Sequence, residues 1–196
     1  MSRFGSLVAA LFIATALPAS AQPRGLAAQL QRGGLVLVMR HAHAPRETPS
    51  APDPGNRARE RQLDAQGKRA ARDLGLALRR LHIPIGQVLS SPTYRARETA
   101  RLAGFPAPTI AAELGDGGRS MQRLGAPQGG WLRQQANQAP PRGGNRLIVT
   151  QMPNIVAAFP QEATGLEDGE TLVFRPDRRG ARLVARVKID AWARMH

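Results

Sequence analysis

One histidine in this chain, His41, directly follows an arginine, Arg40, at the end of a short apolar run, Leu35 to Met39. A neutral imidazole is available near neutral pH, and its ring nitrogen is a competent nucleophile toward phosphorus. Guanidinium groups beside it would bind phosphate oxygens bidentately and stabilise the charge of a transferring group. Arg40 is one such group. Arg95, just after Ser90-Ser91-Pro92, is a second. The alternative for His41 and Arg40 alone is a satisfied loop histidine beside a surface charge. What argues against it is the set of elements that would bring these residues together.

Leu35 to Met39 is too short for a helix and reads as a buried strand. Val88 and Leu89 mark a second strand, which runs out into Ser90-Ser91-Pro92. Leu147 to Thr150 is a third. Helices are expected between them. One covers 24–32 and is ended by Gly33-Gly34. A second covers about 65–81, N-capped by Asp64, with Ala70, Leu74, Leu78 and Leu81 as its apolar stripe. A third covers about 93–103. Residues 40–62 read as loop, and 104–145 as a short strand near 109–111 with short helices at 120–124 and 129–137. Thr171 to Arg175 and Ala181 to Ile189 read as an antiparallel pair joined by a Pro176–Gly180 turn. Strands alternating with helices predict an α/β three-layer sandwich with a mostly parallel sheet and a C-terminal hairpin. In such sheets the ligand sits beyond the carboxyl ends of the strands. That rule selects Arg40-His41, Ser90 to Arg95, and Gln151, with helix N-termini near 93 and 152 adding backbone donors for an anion.

Composition narrows the chemistry. The chain has 196 residues, enough for one ordinary domain, and 42% of them are hydrophobic. It contains no Cys, which excludes thiolate metal sites, iron–sulfur clusters, disulfides and a Cys nucleophile. The four His are scattered and the acids are not paired at ligand spacing, so no metal is expected. No glycine-rich nucleotide loop occurs, and no cofactor is implied. The net charge of +14 favours anionic partners. Arg57 to Arg61 and the Arg79-Arg80 pair read as solvated faces, with an anionic-lipid or nucleic-acid surface as the alternative. With few aromatics and none interleaved among the basic residues, nucleic acid is not an expected partner.

The run LVLVMRHAHAP at 35–45 resembles the Arg-His-Gly signature of the histidine phosphatase superfamily, with Ala42 in place of the Gly. The block at 61–103 resembles the family's next block, LIVTQMPNI at 147–155 resembles its third element, and the hairpin at 169–192 resembles the C-terminal hairpin of its small periplasmic branch. The resemblance implies a phosphoglycerate mutase-like fold and a phosphorylated small molecule or phosphate as the ligand. It implies His41 as the phosphorylated nucleophile and Arg40 and Arg95 as phosphate ligands. Gln151 falls where the family has its second catalytic His. Gln can donate an N–H but carries no charge, so the pattern implies an impaired phosphatase or a phosphate-binding pseudoenzyme. Neither His82 nor His196 is placed to replace that group, and His43 could enter the pocket only by a loop rearrangement. A carboxylic acid usually protonates the leaving alcohol in this superfamily. Glu113 is the best positional candidate and Asp116 the second, with a solvated loop charge as the alternative for each.

Residues 1–21 read as a secretory leader: Arg3, then the apolar run Leu7 to Leu17, then Ala19-Ser20-Ala21, with cleavage expected after Ala21. The expected destination is the periplasm or the cell exterior, without stable membrane insertion after cleavage. An uncleaved anchor is the alternative. The mature chain, 22–196, is expected to form a single domain.

Overall fold

The strands pair because their side chains alternate between two apolar surfaces. The structure, a computed structural model, describes residues 23–45, 61–115 and 126–196. Its strands are β1 (Val36–Arg40), β2 (Ile85–Ser90), β3 (Thr109–Ile110), β4 (Asn145–Thr150), β5 (Thr171–Arg175) and β6 (Arg182–Val187). They form one sheet in the order β3-β2-β4-β1-β5-β6. β3, β2, β4 and β1 run parallel, while β5 and β6 form an antiparallel hairpin against β1. The helices are α1 (Pro23–Gln31), α2 (Ala65–Arg80), α3 (Tyr94–Leu102), α4 (Ala126–Asn137) and α5 (Met152–Ala158). Short 3₁₀ turns occupy Ala112–Leu114 and Ile189–Arg194.

Leu37, Met39, Leu147 and Val149 face α1, α2, α3 and Trp192, while Val36, Val38, Ile148 and Leu172 face α4 and α5. The period of two along each strand thus feeds two separate cores, the expected three-layer sandwich. Phe159 stacks on Phe174 in the second core, with ring centroids 4.3 Å apart.

Asp64 caps α2 as expected, its Oδ1 accepting from the Gly67 amide at 2.7 Å. The buried stripe of α2 is Ala71, Leu74, Ala77, Leu78 rather than one running through Ala70, which is only half-buried. The helix lies so close to its neighbours that Gly67 and Gly75 are part of that face. A Cβ on Gly67 would come within 2.1 Å of the His43 carbonyl oxygen, and one on Gly75 within 1.9 Å of Ala103 O. The second strand of the hairpin ends at Val187, earlier than the sequence suggests, because the chain turns into the 3₁₀ segment that buries Trp192. The predicted helix at 120–124 and most of the 40–62 loop lie outside the described residues.

The arginine pairs are not simply solvated. Arg79 donates to Ala103 O at the end of α3, and Arg80 donates to Ala193 O and Met195 O. Of the basic stretch 57–61 only Arg61 is described, and it is turned inward.

Gly75→Ala should lower stability by at least about 2 kcal/mol, because backbone and not a flexible side chain blocks the new methyl. Gly130→Ala in α4, where a Cβ would meet nothing within 4 Å, should raise it by about 0.5–1 kcal/mol. Urea unfolding midpoints check both; equal shifts would refute this packing.

Candidate active site

The carboxyl ends of β1, β2 and β4 bring three sequence-distant segments to one place. Arg40 pairs with Thr150 across β1 and β4, and the next amide, His41 N, donates to Thr150 O at 2.9 Å. His41 and Gln151 therefore occupy the same level, one residue beyond the last strand pair. Ser91 N donates to Val149 O at 2.9 Å, which fixes the exit from β2 beside them. α3 then rises from Thr93 and carries Arg95 back over His41.

His41 is 2% exposed. Its Nδ1 lies 2.8 Å from Ala42 O, and Arg95 Nε donates to its Nε2 at 3.0 Å. A carbonyl oxygen can only accept, so Nδ1 carries the proton. A guanidinium N–H can only donate, so Nε2 carries the lone pair. The two neighbours together select one neutral tautomer. Burial, reinforced by the charges of Arg95, Arg61 and Arg40, pushes the His41 pKa from 6.5 down to about 3, against an upward pull from the Ala42 hydrogen bond. The imidazole is thus neutral across the physiological range, with its lone pair on Nε2. Thr99 steadies the arrangement: its hydroxyl donates to Arg95 O at 2.8 Å and accepts from Ala42 N at 3.1 Å.

Arg40 is held differently. Its Nη1 donates to Leu166 O at 2.8 Å, and its Nη2 pairs with Asp168 Oδ1 at 2.6 Å. Its Nε is buried without a hydrogen bond among the described residues. The segment 166–170 is knitted onto β1 at two further points, Arg40 N to Glu170 O and Gly169 N to His41 O. Arg186 in turn pairs with Glu170 at 2.9 Å. None of this segment's role is anticipated by the sequence reading, although the acidic run Glu167-Asp168-Gly169-Glu170 before a strand is an available signal. Arg61 also reaches the site, donating to the carbonyls of Ala44 and Pro45.

Gln151 is 1% exposed, and its Nε2 donates to Leu114 O at 3.0 Å. That same carbonyl also accepts from Asn154 Nδ2 at 2.8 Å and Ser91 Oγ at 3.2 Å. One amide hydrogen of Gln151 is therefore held away from any phosphoryl oxygen, and its Oε1 is buried without a partner among the described residues. Asn154 and Ser91 are absent from the sequence-derived site; small polar residues at strand and helix ends give no strong signal. Glu113 lies in the 3₁₀ turn whose Leu114 is clamped in this way, but its side chain is exposed. Asp116 lies outside the described residues. His43 does not reach His41: its Nδ1 lies 2.9 Å from Asp64 Oδ2 and its Nε2 4.0 Å from Asp168 Oδ2. Among the described residues no cluster of His, Cys, Asp and Glu could hold a metal ion. No described helix is long and apolar enough to cross a membrane.

The sequence model of the histidine phosphatase superfamily (branch 1) matches residues 36–115, from β1 through the turn that carries Glu113. No curated protein matches the chain by sequence. Among solved structures, the protein histidine phosphatase SixA complexed with tungstate is similar at 18% identity and a TM-score of 0.58, over 80% of this chain and 98% of that one. A phosphoserine phosphatase from Entamoeba histolytica in complex with phosphoserine is similar at 11% identity and a TM-score of 0.54, over 79% of this chain and 97% of that one. At these identities the likeness is one of fold.

The depressed pKa of His41 has a thermodynamic consequence. Unfolded His41 takes up a proton below pH 6.5, whereas the folded residue resists until about pH 3. The unfolded state thus binds the extra proton, and stability falls as pH drops through that window. His41→Asn should remove this component, so that its urea midpoint declines less than wild type between about pH 7 and pH 4.5. Parallel declines would mean that His41 titrates normally in the folded protein.

Proposed function

We propose that the chain is a member of the histidine phosphatase superfamily, which the family model matching residues 36–115 supports, and that it is an exported phosphomonoesterase working through a phosphohistidine on His41. The observation that carries this reading is the forced tautomer of His41, with Nε2 as a lone pair facing Arg95. In the first step Nε2 attacks phosphorus in line, the P–N bond forms and the bond to the leaving oxygen breaks. The leaving oxygen takes a proton from Glu113 or from solvent. In the second step water attacks the phosphohistidine, restoring neutral His41 and releasing phosphate. Arg95 transfers its hydrogen bond from Nε2 to a phosphoryl oxygen as the substrate enters, and Arg40 supplies a second fixed positive charge. Residues 1–21 serve as the export leader in this reading.

Gln151 weakens the transition state. Charge-assisted donors are about twice as strong as neutral ones, and this amide is already engaged by Leu114 O. Leaving groups that need no proton, such as phenols, are favoured because Glu113 is exposed. The same Gln151 contact supports a second reading, a catalytically inactive protein that holds a phosphate or a phosphorylated small molecule in this pocket.

Turnover of an aryl phosphate should be measurable and should fall at least about 100-fold in His41→Ala. Gln151→His should raise kcat by about 10- to 100-fold, by restoring a charged donor to the transition state. Equal rates for wild type and His41→Ala would refute the enzyme reading. Tungstate binding without turnover, lost in Arg95→Ala, would establish the second reading. Failure to bind tungstate at all would remove both.

A further inference from the structure

The parallel strands sort the charges of this protein between the two ends of the sheet. Asp64, Glu113, Glu167, Asp168 and Glu170 gather at the carboxyl end, where Arg40, Arg61, Arg95, Arg186 and Lys188 balance them. The opposite end has no such balance. The segments entering β1 and β4 meet there, with Gly34 N donating to Gly144 O at 2.9 Å. Arg32 and Arg142 flank that contact and are exposed. The β5–β6 turn arrives at the same end, because Phe174 in β5 pairs with Val36, the first residue of β1. It brings Arg175, Arg178, Arg179 and Arg182, all exposed. Two bonds lock the turn against the rest: Arg175 Nη2 donates to Gln29 Oε1 at 2.6 Å and Asp177 N donates to Asn137 Oδ1 at 3.1 Å. Asp177 lies in that turn, and its carboxylate accepts from Arg179 N within it. Arg32, Arg142, Arg178 and Arg182 form no ion pair with described residues. Six exposed arginines thus share one end of the fold.

We propose that this end is a docking surface for an anionic lipid bilayer. Arginine binds phosphodiester oxygens by paired hydrogen bonds and needs no sequence to read. Each basic group near an anionic membrane surface contributes about 1 kcal/mol. No aromatic ring lies in the two glycine turns or in 175–182, which removes the stacking contacts that single-stranded nucleic acid uses. Export, proposed above, would bring the protein beside such membranes. Docking through this end directs the carboxyl ends of β1, β2 and β4, and hence His41, away from the lipid. The surface does not depend on whether His41 is catalytic.

The test is cosedimentation of the purified protein with vesicles of phosphatidylcholine alone and with about one third phosphatidylglycerol. Binding is expected only to the anionic vesicles and should be abolished by about 0.5 M salt. The triple variant R178Q/R179Q/R182Q should bind about 100-fold more weakly, as three groups at about 1 kcal/mol each imply. The charge-matched control R69Q/R72Q/R97Q, on exposed positions of α2 and α3, should lose much less. The proposal is overturned if the control loses as much as the hairpin variant, since net charge alone would then explain binding. Equal binding to neutral vesicles, or no binding to anionic vesicles at low salt, also overturns it. So does tight binding of an oligonucleotide by a protein that leaves anionic vesicles unbound.

Discussion

The hydrogen bond from Arg95 Nε to His41 Nε2 organises the site, because it can exist only if the imidazole is neutral and protonated on Nδ1. Each neighbour of His41 serves that condition. The Ala42 carbonyl takes the Nδ1 proton, burial penalises a second proton, and nearby guanidinium groups penalise it further. A protonated imidazole would have to give up Arg95 as a partner and face it as a like charge. In the proposed function the same arginine that holds this tautomer of His41 would meet the phosphoryl group. In the proposed reaction Arg95 would exchange a neutral acceptor, the imidazole, for an anionic phosphoryl oxygen, without deprotonating any group.

That contact is only as precise as the elements that carry it. Parallel pairing of β1 with β4 sets His41 level with Gln151, and Thr99 ties α3 to the Ala42 amide. The closeness of α2 to the loop after β1, which requires Gly67, supports the same loop from the other side. Segment 166–170 supplies the ion pair that fixes Arg40. An Arg-rich chain with 14 acids and no Cys thus uses several arginines as structural donors to carbonyls, as Arg79, Arg80 and Arg133 do. Others at the amino end of the sheet, Arg32, Arg142, Arg178 and Arg182, are exposed and form no ion pair with described residues.

The order of strands and helices, and the convergence of three strand ends, were legible because period-two and period-3.6 patterns are strong where burial is two-sided. The Asp64 cap and the glycine turns were legible because few residue types suit those backbones. What escaped was long-range polar geometry. Asp168 meets Arg40, and Ser91 and Asn154 share the Leu114 carbonyl, through contacts that no local pattern encodes. The stripe of α2 was displaced from Ala70 to Ala71 because the helix packs through its glycines, so the tightest face is the one with the smallest side chains. Arg61 looked like part of a solvated basic run, since the sequence cannot show that the carbonyls of Ala44 and Pro45 lie within its reach. The substitution at Gln151 was visible at once, but not its engagement with Leu114 O.

The claim on which the account rests is that His41 Nε2 forms a bond to phosphorus. It is tested most directly by quenching the protein with alkali during turnover of an aryl phosphate and locating the phosphoryl group by mass spectrometry. The account predicts an acid-labile, alkali-stable phosphoryl group on His41, absent from His41→Ala. Turnover with no phosphorylated His41, or with the group on another residue, would contradict it.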